Sequence, residues 1–164
     1  MKTSKFAKGF QTFEQEIQVE QLDIQGEVPQ WLAGSLFRTG PSKFELGNES
    51  YNHWFDGLAM LHKFAFYDGN VRYACRMVKS NSYQKAVENG KVSVPEFATD
   101  PCKTLFQKVQ SYFKAPDLTD NGNISIIKYD DVIAATTETP LPVVFDPETL
   151  ETLGQVTYED NISG

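Results

Sequence analysis

The chain has few of the residues that usually announce a chemical site. It holds two cysteines, Cys75 and Cys102, and two histidines, His53 and His62, in 164 residues. Two cysteines outside any Cys-x-x-Cys pair exclude a disulfide scaffold, and reduced thiols are the expectation. Each histidine sits among apolar neighbours, which points to packed or hydrogen-bonded imidazoles. Basic charge is also scarce. Fifteen Lys and Arg stand against 22 Asp and Glu, a formal net charge of −7. That balance excludes sequence-independent nucleic-acid binding, which needs clustered cations to displace counterions. No run approaches the ~20 apolar residues of a bilayer span. Residues 1–11 lack the apolar stretch of a secretory leader. The expectation is a cytoplasmic chain, soluble or peripherally bound to a membrane.

Apolar material is plentiful: 40% of residues are hydrophobic and 13% aromatic. That suffices for a packed core and excludes a disordered chain. Residues 1–27 read as an N-terminal arm, polar, with Phe6, Phe10, Phe13 and Ile17 near helical spacing. A short strand follows from Gly34, closed by a Gly40-Pro41 turn. Leu58–Tyr67 and Val71–Met77 flank Asp68-Gly69-Asn70, a hairpin signal, because Gly supplies positive φ in a tight turn. Val71, Tyr73, Cys75 and Met77 alternate with Arg72, Ala74 and Arg76, the period of a half-buried strand.

Four strands are predicted after Asn121: 124–129, 132–137, 142–145 and 153–158. Their even spacing fits an antiparallel meander, one propeller blade, although half of a β-sandwich gives the same pattern. Between the β regions one helix is predicted over 103–113. Leu105, Phe106, Val109, Tyr112 and Phe113 form its apolar face, with Pro101 and Pro116 beyond its ends. Lys103, Lys108 and Lys114 accompany that face, a composition suited to a lipid interface as well as to a protein core.

Three blocks stand together: Pro29 to Pro41, Tyr51 to Phe64, and Asp100 through Thr119-Asp120-Asn121. Thr137-Glu138-Thr139 and Asp146-Pro147-Glu148-Thr149-Leu150-Glu151 extend them. Together they resemble the opening part of the carotenoid cleavage oxygenases, in the branch of the β-carotene oxygenases and the retinoid isomerohydrolase. The resemblance covers residues 28–164, taken as an incomplete propeller domain. It implies an all-β fold, the first blades of a seven-bladed propeller with one amphipathic helix inserted. It also implies iron(II) held by four histidines, three of them oriented by glutamates, and oxidative cleavage of a carotenoid or apocarotenoid by dioxygen.

Carried over residue by residue, Glu138 matches the first of those glutamates, and a carboxylate on the far N–H of a ligating imidazole fixes its tautomer and direction. Thr137 matches a position near the open side of the iron. Phe97 matches an aromatic of the substrate tunnel, and polyenes offer only apolar surface and π-faces to such a wall. The segment after it, Ala98-Thr99-Asp100, is shorter than in the animal enzymes. The 103–114 segment corresponds to a membrane-facing patch, with Cys102 beside it. No metal ligand falls in this chain, so the isolated chain is expected to bind no iron and to be inactive. A stilbene-type substrate, or a non-catalytic lipid- or protein-binding propeller, are the alternatives.

Overall fold

The computed structural model describes residues 5–102 and 117–156. Among the described residues ten strands run in chain order: β1 Ile17–Val19, β2 Gly34–Lys43, β3 Glu45–Leu46, β4 Glu49–Ser50, β5 Leu58–Tyr67, β6 Asn70–Met77, β7 Ser125–Tyr129, β8 Val132–Thr136, β9 Val143–Phe145 and β10 Thr152–Gln155. One helix, α1, spans Asn81–Asn89. One four-stranded sheet has the order β1-β6-β5-β2, and a second the order β10-β9-β8-β7. Every pairing is antiparallel.

Local chemistry sets the turns. Asp68 and Gly69 both have positive φ, 45° and 74°, and Tyr67 pairs with Asn70. A two-residue loop of this kind matches the twist of the strands it joins. At the β9–β10 turn, Asp146 Oδ1 accepts from the amides of Glu148 and Thr149 at 2.8 and 2.7 Å. Those bonds hold its carboxyl below the usual range.

The core explains why Leu58–Leu61 does not alternate. Leu58 and Met60 face a cluster with Tyr51, Cys75, Met77 and Ala86 of α1. Ala59 and Leu61 face the other way, onto Ile133, Ala135, Val143 and Phe145 of the second sheet and Leu150 of the turn between β9 and β10. Strand β5 is therefore covered on both sides and reads as a continuous apolar run. Phe37 reaches across to Phe145, with ring centroids 5.8 Å apart. Burying a side chain such as Phe145 contributes about 1.5–3 kcal/mol. Two antiparallel sheets stacked in this way are neighbouring blades, and the fold is all-β, part of a propeller.

Two expectations meet the structure differently, and one element was not expected at all. Gly40-Pro41 closes no turn: β2 continues through it to Lys43, with Pro41 opposite Ala59 and a register shift before Lys43. Strand β2 lies at the sheet's edge, where a proline without an N–H costs no ladder bond and a bulge absorbs the misfit. The near-helical spacing of Phe6, Phe10, Phe13 and Ile17 is not realised as an α-helix. Only Ala7–Phe10 coils, as a 3-10 turn, and the chain then extends to pair β1 with β6. Helix α1 was not anticipated. Its first turn is held from afar, for Asp120 accepts from the amides of Asn81 and Ser82 at 2.8 and 2.7 Å. Gly90, at φ 60°, ends it. The helix predicted over 103–113, with Leu105, Phe106, Val109, Tyr112 and Phe113, lies outside the described residues, as do 157–158 of the last predicted strand. Among the described residues no helix is long and apolar enough to cross a membrane.

Candidate functional site

A cavity of about 290 Å³ lies where three segments meet. Pro95–Phe97 forms one wall and follows α1. Thr137–Thr139 forms the opposite wall and leaves the end of β8. Asp117–Thr119, with Asn123 and Ile124, closes the space between them. Phe97, Thr137 and Glu138, singled out separately in the sequence, therefore share one cavity.

Phe97 is 65% exposed, and its ring packs on Phe55 and His53 at centroid distances of 5.8 and 5.0 Å. The loop behind it is pinned by Asp56, which is wholly buried. The amide of Ala98 donates to Asp56 at 3.1 Å and the Thr99 hydroxyl at 2.5 Å. A buried carboxylate requires such donors, since an unpaired charge there is costly. In the sequence Asp56 reads as a turn residue beside Gly57; its actual partners lie 42 and 43 positions downstream.

Glu96, which sequence reasoning passed over, also lines the cavity. Thr119 donates its hydroxyl to Glu96 Oε1 at 2.8 Å. Burial pushes the Glu96 carboxyl up to about 8, against the opposing hydrogen bond from Thr119, and the charges of Asp56 and Asp120 push the same way as burial. On the opposite wall, the Thr139 hydroxyl donates to the Thr119 carbonyl at 2.6 Å. Glu138 is exposed and Thr137 half-buried.

The run Asp120–Asn123 secures this corner to both blades. Asn121 Oδ1 accepts from the Ala59 amide at 2.9 Å, and its Nδ2 donates to the Gly57 carbonyl at 3.0 Å. Asn123 Nδ2 donates to the same carbonyl at 3.1 Å. Thr39 donates to the Gly122 carbonyl at 2.6 Å. Burial alone raises Asp120, yet donors from Ser82, Asn81 and Gln155 outweigh it and hold the carboxyl below its ordinary value. Asp120, Asn121 and Asn123 are buried, and backbone groups of α1, Gly57 and Ala59 satisfy their side chains.

The histidines are engaged elsewhere. His53 Nδ1 accepts from the Phe55 amide at 3.2 Å. His62 Nδ1 lies 2.8 Å from the Tyr73 hydroxyl, and burial, aided by Arg38, holds its imidazole below the usual value. Among the described residues no group of three or more His, Cys, Asp or Glu side chains is placed to hold a metal. These residues do not fit an iron(II) centre. Both cysteines are free thiols, Cys75 buried and Cys102 exposed.

Residues 10–164 match the family RPE65, retinal pigment epithelial membrane protein. The chain is 43% identical over 147 residues to the β,β-carotene 15,15'-dioxygenase of Gallus gallus, covering 86% of this chain and 28% of that protein. It is 43% identical over 145 residues to the carotenoid isomerooxygenase of Galleria mellonella, covering 85% of this chain and 28% of that protein. Among solved structures, an ACO/RPE65 chimera superposes with a TM-score of 0.80 at 29% identity, over 92% of this chain and 31% of the chimera. Cobalt-substituted Synechocystis ACO gives a TM-score of 0.81 at 28% identity, over 92% and 31%. The chain thus spans about 28% of the length of the curated relatives it matches. On the strength of that match and of its stacked blades, the chain belongs to the RPE65 family, whose carotenoid-cleaving members it resembles in sequence and in fold.

Proposed function

We propose that the chain is the N-terminal part of a non-haem iron dioxygenase that splits a double bond of a carotenoid or apocarotenoid into two carbonyl products, and that it supplies one flank of the substrate passage. The observation that carries this reading is the convergence of Phe97, Thr137 and Glu138 on one cavity. Each matches a functional family position, and the two segments that carry them, one with Phe97 and one with Thr137-Glu138, lie far apart in sequence. The Phe97 ring offers a polyene an aromatic face. The Thr137 side chain narrows the space beside it. The Glu138 carboxylate is free to accept the outer N–H of an imidazole and so fix that ring's direction.

Iron(II), when bound in the complete protein, activates dioxygen. That its site lies outside the described residues is supported by the finding that, among them, no group of three or more His, Cys, Asp or Glu side chains is placed to hold a metal. The chain alone is therefore proposed to be inactive. Contact with a membrane surface through residues 103–114 belongs to the same proposal, supported by the lysines that accompany its apolar positions. Such a surface would deliver a lipid-soluble substrate.

The test is made on the protein expressed from its complete gene and loaded anaerobically with iron(II). With oxygen and β-carotene, or an apocarotenoid, chromatography is expected to show aldehyde products, and Phe97→Ala is expected to raise KM. If neither class is bound or consumed, the reading fails.

A further inference from the structure

One residue joins the two walls of the cavity. The Thr119 hydroxyl donates to Glu96 Oε1 at 2.8 Å, and the Thr119 carbonyl accepts from Thr139 Oγ1 at 2.6 Å. The Thr119 hydroxyl oxygen also accepts from the Asn121 amide at 3.1 Å, which leads into the buried run that fastens both blades. The Glu96 end is fixed in turn. Its amide donates to the Thr99 carbonyl at 2.9 Å, and the Thr99 hydroxyl is held by the buried Asp56.

We propose that Glu96 is a positioning residue: acting through Thr119, it sets the separation between the wall that bears Phe97 and the wall that bears Thr137 and Glu138, and with it the width open to a polyene. The proposal rests on the reading of this cavity as part of the substrate passage. A short side chain at 96 would take from Thr119 its carboxyl acceptor, leaving the longer contact with the Ser82 hydroxyl at 3.4 Å, and the segments after α1 and after β8 would lose their common tie. Bonds of this kind decide geometry more than stability, because each is modest in net energy yet directional.

The surroundings favour an un-ionised Glu96. Tyr51 and Asp56 face it from the segment before β5, and Asp120 from the blade clamp. Asp117 and Glu138 line the same cavity, Asp117 with Lys85 3.7 Å away. A negative charge on Glu96 would add to this acidic set and push the walls apart. Glutamine is close to an isostere of the un-ionised carboxyl and keeps an acceptor for Thr119.

The experiment compares Glu96→Ala, Glu96→Gln and Phe97→Ala in the iron-loaded protein from the complete gene. Amide hydrogen exchange over residues 117–124 is measured beside KM and kcat. Glu96→Ala is expected to speed exchange in that segment and raise KM about fivefold, the loss of one directional bond, with kcat little changed. Glu96→Gln is expected to restore both, which a merely space-filling role would not require. If the alanine and glutamine variants exchange alike, the proposal is overturned. If they differ in exchange while Phe97→Ala leaves KM unchanged, the tie through Thr119 stands and the cavity is not a substrate wall.

Discussion

Gly122 lies against Ala135 so closely that no side chain fits between them. A Cβ on Gly122 would come within 2.7 Å of the Ala135 Cβ and 3.0 Å of its carbonyl oxygen. The contact joins the buried polar run to the middle of β8. Gly122→Ala is expected to cost about 1–3 kcal/mol, because backbone cannot yield as a flexible side chain does. Thermal or urea unfolding of the two proteins gives the difference. An unchanged midpoint would mean that β8 is looser than this packing implies.

Asp56 offers a second test. Its two carboxylate oxygens hold the amide of Ala98 and the hydroxyl of Thr99. In Asp56→Asn one acceptor becomes a donor and faces a donor. The loop that carries Phe97 is expected to lose about 1.5–3 kcal/mol of anchoring, the range for bonds to a charged group. Proteolysis within residues 95–100 is expected to quicken before the strands are attacked. Wild-type resistance there would show that other contacts suffice.

Glu96 gives stability a pH dependence of definite sign. Its folded pKa, about 8, lies above the unfolded value of 4.5. Between those values the folded state binds the extra proton, so stability falls as pH rises from about 5 through 8. Asp120 acts in the opposite direction: its depressed folded pKa gives stability that is present above its ordinary value and lost in acid. Denaturation midpoints measured from pH 5 to 9 are expected to decline more steeply in wild type than in Glu96→Gln. Parallel curves would rule out Glu96 as the source.

Metal content is the simplest check on the histidines. The 164-residue chain, loaded anaerobically with iron(II) and desalted, is expected to retain far less than one iron per chain by elemental analysis. One tightly held iron would mean that His53 and His62 move together with carboxylates into a site that the described residues do not form.

The parts of the fold legible in sequence are those whose cause is local. Asp68-Gly69 carries its own turn geometry, and β6 displays its buried face by alternation. The meander from β7 to β10 is spelled out by turn residues at even intervals. What escaped reading has causes at long range. Helix α1 is mostly polar, and its first amides are satisfied by Asp120, some forty residues on. The local signals, Ser80 at the N-cap and Gly90 at φ 60°, were present but brief. Pro41 looks like a stop only until the edge position of β2 is known. In the candidate site, Phe97, Thr137 and Glu138 were reached through family resemblance. Glu96 and Asp56 were not, because nothing near them in sequence reveals that they are enclosed and paired.

The run that fastens the blades also borders the cavity, and this divides the lining by mutational tolerance. Asn123 takes part in a bond on which the sheet junction depends, and Thr119 ties the two walls together. Phe97 stands apart: its ring is largely exposed, and it rests on neighbours rather than holding them. A lineage, or a laboratory selection, that reshapes this space has at Phe97 an inexpensive position at which to do so. Substitutions at 97 can drift toward new ligands without a folding defect, whereas those at 123 must first survive the loss of the junction itself and those at 119 the loss of the tie between the walls.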